Sequence, residues 1–302
     1  MNGTVVAVVG PTAAGKSALS LELAHALDGE VVNADSMQLY RGMDIGTAKL
    51  TVDERHGVPH HVLDVWDVTE PASVAAYQAL ARAAVDGILA RGRVPLLVGG
   101  SGLYVRAVLE EFEFPGTDPD LRAELEAELA AHGPAPLYAR LSVADPAAAA
   151  RILPSNGRRI VRALEVITLT GRPFTAELPQ PRPVYPALQL GVDLDPAVLD
   201  ERIARRVDHM WAAGLVDEVR ALAARGLRGG RTASRALGYQ QVLRYLAGEC
   251  REDDARAETV RATRRFVRRQ RSWFRRDPRV GWLDAAAPDL VGQAIQVTRA
   301  VT

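Results

Sequence analysis

Cysteine is nearly absent: Cys250 stands alone in 302 residues. A single thiol excludes an internal disulfide and any multi-cysteine zinc site, and fits a reducing compartment. No apolar run approaches the roughly 18–20 residues a membrane span needs. The N-terminal residues pass straight into a hydrophobic strand pattern with no basic leader, so a cytoplasmic protein is expected. Lysine is scarce as well: only Lys16 and Lys49 occur among 37 basic residues, and the rest are arginine. Net charge is also lacking, with 37 basic residues against 37 acidic ones. That balance hides a segregation. Arg261, Arg264, Arg265, Arg268, Arg269, Arg271, Arg275 and Arg276 crowd residues 261–276, where no acidic residue occurs. A neutral total therefore does not exclude a polyanion partner.

What is present begins at Val5. Val5–Val9 is a continuous, mostly β-branched apolar run, the mark of a strand buried on both faces of a parallel sheet. Gly10-Pro11-Thr12-Ala13-Ala14-Gly15-Lys16-Ser17 then fits G-x-x-x-x-G-K-[ST], and a helix-forming stretch follows from Ala18 to Leu27. Strand, loop and helix come in the order a phosphate-binding P-loop requires. The glycines let backbone N–H groups turn onto a phosphate and the helix N-terminus adds partial positive charge. Lys16 supplies a full charge, and the Ser17 hydroxyl is placed to ligate Mg²⁺.

Further strands are expected at Glu30–Ala34, Arg93–Val98 and Leu188–Leu194, with an alanine-rich helix over 72–91 between the first two. Strands alternating with helices predict an α/β fold: a P-loop NTPase-like parallel sheet. Ligands of such sheets lie beyond the C-terminal strand ends, where Gly10, Asp35 and Ser101 should converge. The Pro115–Pro119 break opens a helical stretch to about residue 170, and Pro179–Pro183 reads as a stiff, extended return. This organisation predicts a core over 1–113, a small helical insertion over 114–186, and the rest of the core with a mainly helical C-terminal region over 187–302. In that last part Leu199, Ile203, Val207 and Met210 form one apolar stripe.

Several residues are open to more than one role. Asp35, just past a strand end, suits Mg²⁺ ligation through water, general-base work or a turn cap. Ser101 lies in a second glycine-rich turn of a common kind. Arg202, Arg205 and Arg206 share a helix from which one could reach a diphosphate, although such residues often face solvent. His60 and His61 are adjacent on extended backbone, so their side chains point to opposite faces and make a poor metal pair. Phe266, Val267, Trp273 and Phe274 mark an apolar seam beside the arginines of 261–276, leaving the other face of that helix for nucleic acid.

Taken together, these blocks resemble the bacterial tRNA dimethylallyltransferases, the IPP transferase family, nearly end to end. The resemblance is carried by the P-loop, by Asp35-Ser36-Met37-Gln38-Leu39-Tyr40-Arg41-Gly42-Met43-Asp44-Ile45-Gly46-Thr47-Ala48-Lys49, by Pro59-His60-His61 and by Val98–Tyr104. Arg159–Val166, Gly238-Tyr239 and Arg268-Arg269-Gln270-Arg271-Ser272-Trp273-Phe274 complete it. It implies that the phosphate loop, otherwise a nucleotide- or ATP-binding motif, holds the diphosphate of dimethylallyl diphosphate with Mg²⁺. Asp35 becomes the general base toward N6 of adenosine 37, and Lys16, Ser17 and Arg206 stabilise the leaving diphosphate. Ser101 takes the place of the usual threonine and keeps the hydroxyl that touches the target nucleotide. Asp35–Gln38 (Asp35, Ser36, Met37, Gln38), Arg122, Arg158–Arg162 (Arg158, Arg159, Ile160, Val161, Arg162) and Arg235–Gln240 (Arg235, Ala236, Leu237, Gly238, Tyr239, Gln240) match stretches that contact the tRNA anticodon stem-loop, over which the insertion would close. From the basic helix, Arg268, Arg269, Gln270 and Arg271 are expected to contact tRNA as well. A monomer is expected.

Departures from the family pattern are few. Ala14 takes a variable loop position, Leu50 stands where proline is usual, and Arg158 replaces a commoner glutamine. Three rivals share the P-loop: a prenyltransferase acting on free AMP or ADP, a small-molecule kinase using ATP, and a non-catalytic RNA-binding protein. The basic helix and the insertion argue against the first, and intact Lys16 and Ser17 against the last.

Overall fold

The computed structural model describes residues 3–112, 114–174 and 182–301. Its larger unit comprises residues 1–110 and 183–302, and the smaller one residues 111–182. Strand β1 (Val5–Val9) lies inside the sheet with all five side chains buried. Val6 and Val8 point into one apolar layer with Leu19, Leu23, Leu199 and Ile203, while Val5, Ala7 and Val9 point into the other with Tyr77, Ala81 and Val85. A period of two with both faces covered is why this strand reads as an unbroken apolar run. Each such valine contributes roughly 1.5–3 kcal/mol by leaving water.

The other strands are β2 (Gly29–Asn33), β3 (His60–His61), β4 (Val94–Gly99), β5 (Ala187–Asp193) and β6 (Val280–Asp284). They align in the order β3-β2-β4-β1-β5-β6, and every neighbouring pair is parallel. Helices cover both faces, so the expected α/β parallel sheet is what the chain builds. Helix α1 (Lys16–Leu27) follows the phosphate loop and α2 (Val74–Ala90) precedes β4. The Ser73 hydroxyl caps α2 by accepting the Ala76 N–H at 3.0 Å. Its buried residues Tyr77, Ala81, Val85 and Ile88 fall on one face. Helix α3 (Gly102–Leu109) closes the first part of this unit.

The smaller unit contains α4 (Pro119–His132), α5 (Pro134–Ala144), α6 (Pro146–Ala149) and α7 (Gly157–Thr170). Three of these four helices start on a proline, which suits a position whose N–H has no intrahelical partner. Asp118, Asp145 and Asn156 cap α4, α6 and α7. The unit has its own core of Leu125, Leu137, Leu141, Ile152, Ile160, Val161 and Leu164. Its bounds differ from the expected 114–186. Val184 N–H donates to the Leu109 carbonyl at 2.8 Å and Val5 N–H to the Pro186 carbonyl at 2.9 Å, so residues 183–186 already belong to the core. The extended return expected over Pro179–Pro183 lies mostly outside the described residues, at 179–181.

After β5 come α8 (Pro196–Ala212), α9 (Leu215–Ala224), α10 (Tyr239–Leu246), α11 (Glu252–Phe274) and α12 (Leu290–Arg299). The stripe Leu199, Ile203, Val207 and Met210 is buried as the spacing predicts. The seam of α11 differs from expectation. Val267 and Phe274 are buried and Phe266 partly so, but Trp273 is 37% exposed, and the polar Gln270 takes the buried place between Val267 and Phe274. Those three recur at intervals of three and four, the true helical stripe.

Candidate active site

The phosphate loop leaves β1 at Gly10, whose φ of 135° and close approach to β5 demand glycine: a Cβ there would lie 2.2 Å from the Val192 carbonyl oxygen. Helix α1 then begins behind Gly15, which offers no side chain as a cap. The first-turn N–H groups of α1 are therefore left for an anion. The Lys16 ammonium folds back onto the loop and donates to the Pro11 carbonyl at 2.7 Å. Burial pushes it down to about 8, Arg206 adding to the effect and Asp35 opposing it. Arg206, on α8, donates to the Thr47 carbonyl at 3.1 Å. Burial lowers its guanidinium too, and again the Asp35 carboxylate opposes. Two confined cations thus share one acid, an arrangement short of negative charge.

Asp35 follows β2 and is set by its neighbours. Asn33 accepts the Asp35 N–H at 2.8 Å and donates to the Asp35 carbonyl at 3.0 Å. Asp35 Oδ1 accepts the Met37 N–H at 2.9 Å, the turn-capping role open to it in the sequence. Among the described residues no hydrogen bond claims Oδ2, which leaves that oxygen free for a proton. Ser101 arrives from the end of β4. Ala34 N–H pairs with the Val98 carbonyl at 2.8 Å, and the Ser101 hydroxyl lies 3.3 Å from the Ser36 N–H and 3.4 Å from the Ser36 hydroxyl. The predicted convergence of Gly10, Asp35 and Ser101 beyond the strand ends is what the sheet produces.

Two residues near Asp35 escaped sequence reasoning. The Tyr77 hydroxyl donates to the Asn33 carbonyl at 2.9 Å, and its ring sits 4.5 Å from that of Tyr104. Burial, reinforced by the Asp35 charge, raises both phenols, that of Tyr104 to about 12. Tyr77 is fully buried behind Asp35, its hydroxyl spent on Asn33, and the half-buried Tyr104 packs against it. Tyr104 belonged to a recognisable block, but nothing local separated it from a core aromatic.

The block from Asp35 to Lys49 is a folded brace. Buried Lys49 donates to the Tyr40 carbonyl at 3.0 Å and to Asp44 and Asp64 at 2.7 and 2.5 Å. Glu218 on α9 accepts the N–H groups of Asp44, Ile45 and Gly46 at 3.1, 2.7 and 3.3 Å, and the Tyr239 hydroxyl at 2.5 Å. Gly46 admits the Tyr239 ring so closely that a Cβ would fall 2.4 Å from it. This brace holds the Thr47 carbonyl on which Arg206 is hung. His60 and His61 have structural partners, the Val58 carbonyl at 2.9 Å and Glu30 at 2.6 Å.

Not every residue expected at an RNA surface presents its side chain. Ile160, Val161, Ala236, Gly238 and Tyr239 are buried, because their positions belong to the apolar faces of the fold, and Leu237 is partly buried. Arg122 and Arg162 both pair with Glu165, which is 0% exposed. Burial would raise that carboxyl, but the hydrogen bonds from the two arginines outweigh it and hold the group below its usual range. Arg158, Arg159, Arg235, Gln240, Arg268 and Arg269 are exposed. Arg271 turns inward to Asp193 at 2.9 Å. Gln270 is buried, with both ends of its amide used within the protein.

A parallel sheet whose glycine-rich loop faces a carboxylate and an arginine beyond the strand ends has the layout of an α/β enzyme core with a P-loop-like fold. The IPP transferase family model matches residues 38–277. A tRNA dimethylallyltransferase of Salinispora arenicola (strain CNS-205) is 79% identical over 298 residues, covering 99% of this chain and 87% of that one. One from Thermobifida fusca (strain YX) is 68% identical over 96% of this chain and 93% of its own. Among solved structures, the full-length tRNA isopentenylpyrophosphate transferase of Bacillus halodurans superposes with a TM-score of 0.75 at 42% identity, covering 99% of this chain and 96% of that one. A eukaryotic dimethylallyltransferase acting on tRNA gives a TM-score of 0.85 at 27% identity, covering 98% of this chain and 78% of that one. The chain belongs to the IPP transferase family of prenyltransferases.

Proposed function

We propose that the protein transfers the dimethylallyl group of dimethylallyl diphosphate to N6 of adenosine 37 in the anticodon loop of tRNAs that read codons beginning with U. The observation that carries this reading is the grouping of Lys16 and Arg206 about Asp35 at the mouth of the phosphate loop. The adenine amine attacks the allylic carbon, the carbon–oxygen bond to the diphosphate breaks, and Asp35 takes the proton lost from N6. Lys16, Arg206 and the first-turn N–H groups of α1 receive the charge that grows on the departing diphosphate. An amine stacked within the loop cannot reach a buried carbon, so the base must be extruded. The exposed Ser17 at the head of α1 offers a hard oxygen donor next to the place of the diphosphate, a set that suits Mg²⁺. Bound there, Mg²⁺ would neutralise diphosphate charge.

Arg268 and Arg269 on α11 offer exposed charge to tRNA phosphates. Replacing Arg268 and Arg269 together by glutamine is expected to weaken tRNA binding at low salt. It should also flatten the plot of log affinity against log salt by roughly 1.4–1.8 units, about 0.7–0.9 for each phosphate that the protein no longer neutralises. Filter binding across a salt series measures both; an unchanged slope would remove these arginines from the RNA interface. The proposed reaction on tRNA suits a cytoplasmic monomer. Separately, among the described residues no helix is long and apolar enough to cross a membrane.

The direct test combines purified protein, Mg²⁺, labelled dimethylallyl diphosphate, and unmodified tRNA beside free AMP. Label on adenosine 37 and none on AMP is the expected result. Transfer to AMP alone would make the protein an adenylate prenyltransferase, and ATP turnover without prenyl transfer would make it a kinase.

A further inference from the structure

Gln270 lies in the arginine run of α11, between exposed Arg269 and inward-turned Arg271, and is only 7% exposed. Its Oε1 accepts the Thr12 N–H at 3.0 Å, from inside the phosphate loop. Its Nε2 donates to the Gly100 carbonyl at 2.9 Å, in the turn that carries Ser101. The slot is cut for this amide, since a Cβ on Gly100 would come within 2.2 Å of Nε2 and 3.1 Å of the Gly10 carbonyl oxygen. One side chain thus ties together the first half of the phosphate loop, the end of β4 and the basic helix.

We infer that Gln270 is a positioning residue for the diphosphate, acting through the phosphate loop rather than by touching RNA. Thr12 precedes the loop residues Ala13–Ser17 that close onto α1. Holding its N–H outward, on a partner in the protein, leaves the later N–H groups to face an anion. A loop lacking this tie leaves a part-buried N–H unpaired and a wider set of loop conformations, so binding must first select the competent one. Helix α11 therefore works on two sides at once, offering Arg268 and Arg269 outward and bracing the loop inward.

The inference rests on the loop being a diphosphate site, and its test separates the two ideas. Gln270→Met keeps an unbranched side chain of similar size and removes both hydrogen bonds. Gln270→Glu keeps an acceptor for Thr12 but sets a carboxylate oxygen against the Gly100 carbonyl, and serves equally should the methionine variant fail to fold. Binding of inorganic diphosphate with Mg²⁺ by calorimetry, and of tRNA by filter retention, are measured on wild type and on each variant that melts cooperatively. The expected result is a diphosphate Kd raised about tenfold, about 1.4 kcal/mol, with tRNA affinity and its salt slope unchanged. In steady state the same change appears as a raised KM for dimethylallyl diphosphate, with the KM for tRNA held. Loss of tRNA affinity with diphosphate binding intact would make Gln270 an RNA contact and overturn the inference, as would a variant indistinguishable from wild type in both. Wild-type protein that binds no diphosphate would overturn the reading of the loop itself.

Discussion

Replacing Asp35 by asparagine is expected to lower kcat about 10²–10⁴-fold, the usual worth of a positioned general base, while tRNA affinity stays as it is. The substitution is chosen for what it leaves intact. Asparagine keeps an oxygen to accept the Met37 N–H, the bond that shapes the turn at 2.9 Å, and Asn33 still engages the backbone of residue 35. Only the capacity to take a proton is removed. Single-turnover transfer measures the chemical step and filter binding the complex. Turnover at the wild-type rate would show that the proton leaves N6 by another path and that Asp35 is only a turn cap.

Lys16→Met carries the other large effect. Methionine fills much of the same space without charge, and loss of a preorganised cation at the leaving group is expected to cost about 10²–10³ in kcat, with weaker diphosphate binding. The wild-type lysine also sets a pH dependence. Folded, it titrates at about 8, against 10.5 when free. Between those values the unfolded chain holds the additional proton, so this group makes folding more favourable as pH rises from about 8 to 10.5. Diphosphate affinity runs the opposite way. It needs the charged ammonium and declines as pH rises through about 8. Lys16→Arg keeps its charge throughout this range, since a guanidinium stays protonated to above about 12. It should therefore bind with a flat pH profile even where its planar head fits the loop less well. Calorimetry from pH 7 to about 10 reads both curves; a decline in the arginine variant like that of wild type would assign the titration to another group.

Much of this was legible because local pattern and tertiary demand agree. Val5–Val9 is apolar without interruption because both of its faces are covered, and the parallel order then fixes which loops meet. The edge strands were not legible. β3 is two residues long, and in β6 only Val280 is buried, so neither carries a run that sets it apart from a loop. The brace around Asp44–Gly46 was equally silent, because its carboxylate, Glu218, lies 173 positions beyond Ile45. The burial of Gln270 was hidden for a different reason. Its neighbours in the chain are arginines, and composition assigned it to their surface, whereas helical spacing from Val267 to Phe274 turns it to the interior. Arg122 and Arg162 were likewise grouped with exposed arginines, although Glu165 behind them is an apolar-face position that holds a charge.

The chain's economy of lysine has a practical side. One of its two lysines is closed off, with the Lys49 ammonium gripped by Asp44, Asp64 and a carbonyl. The other sits in the phosphate loop with its proton held loosely, at about 8. A far larger share of it is the free amine at neutral pH than for an ordinary lysine. Among lysine side chains, an acylating reagent therefore has a single address in this protein, and diphosphate bound in the loop as proposed would shield it. Ordinary amine chemistry becomes a footprint of site occupancy, without mutation and without a label on the substrate.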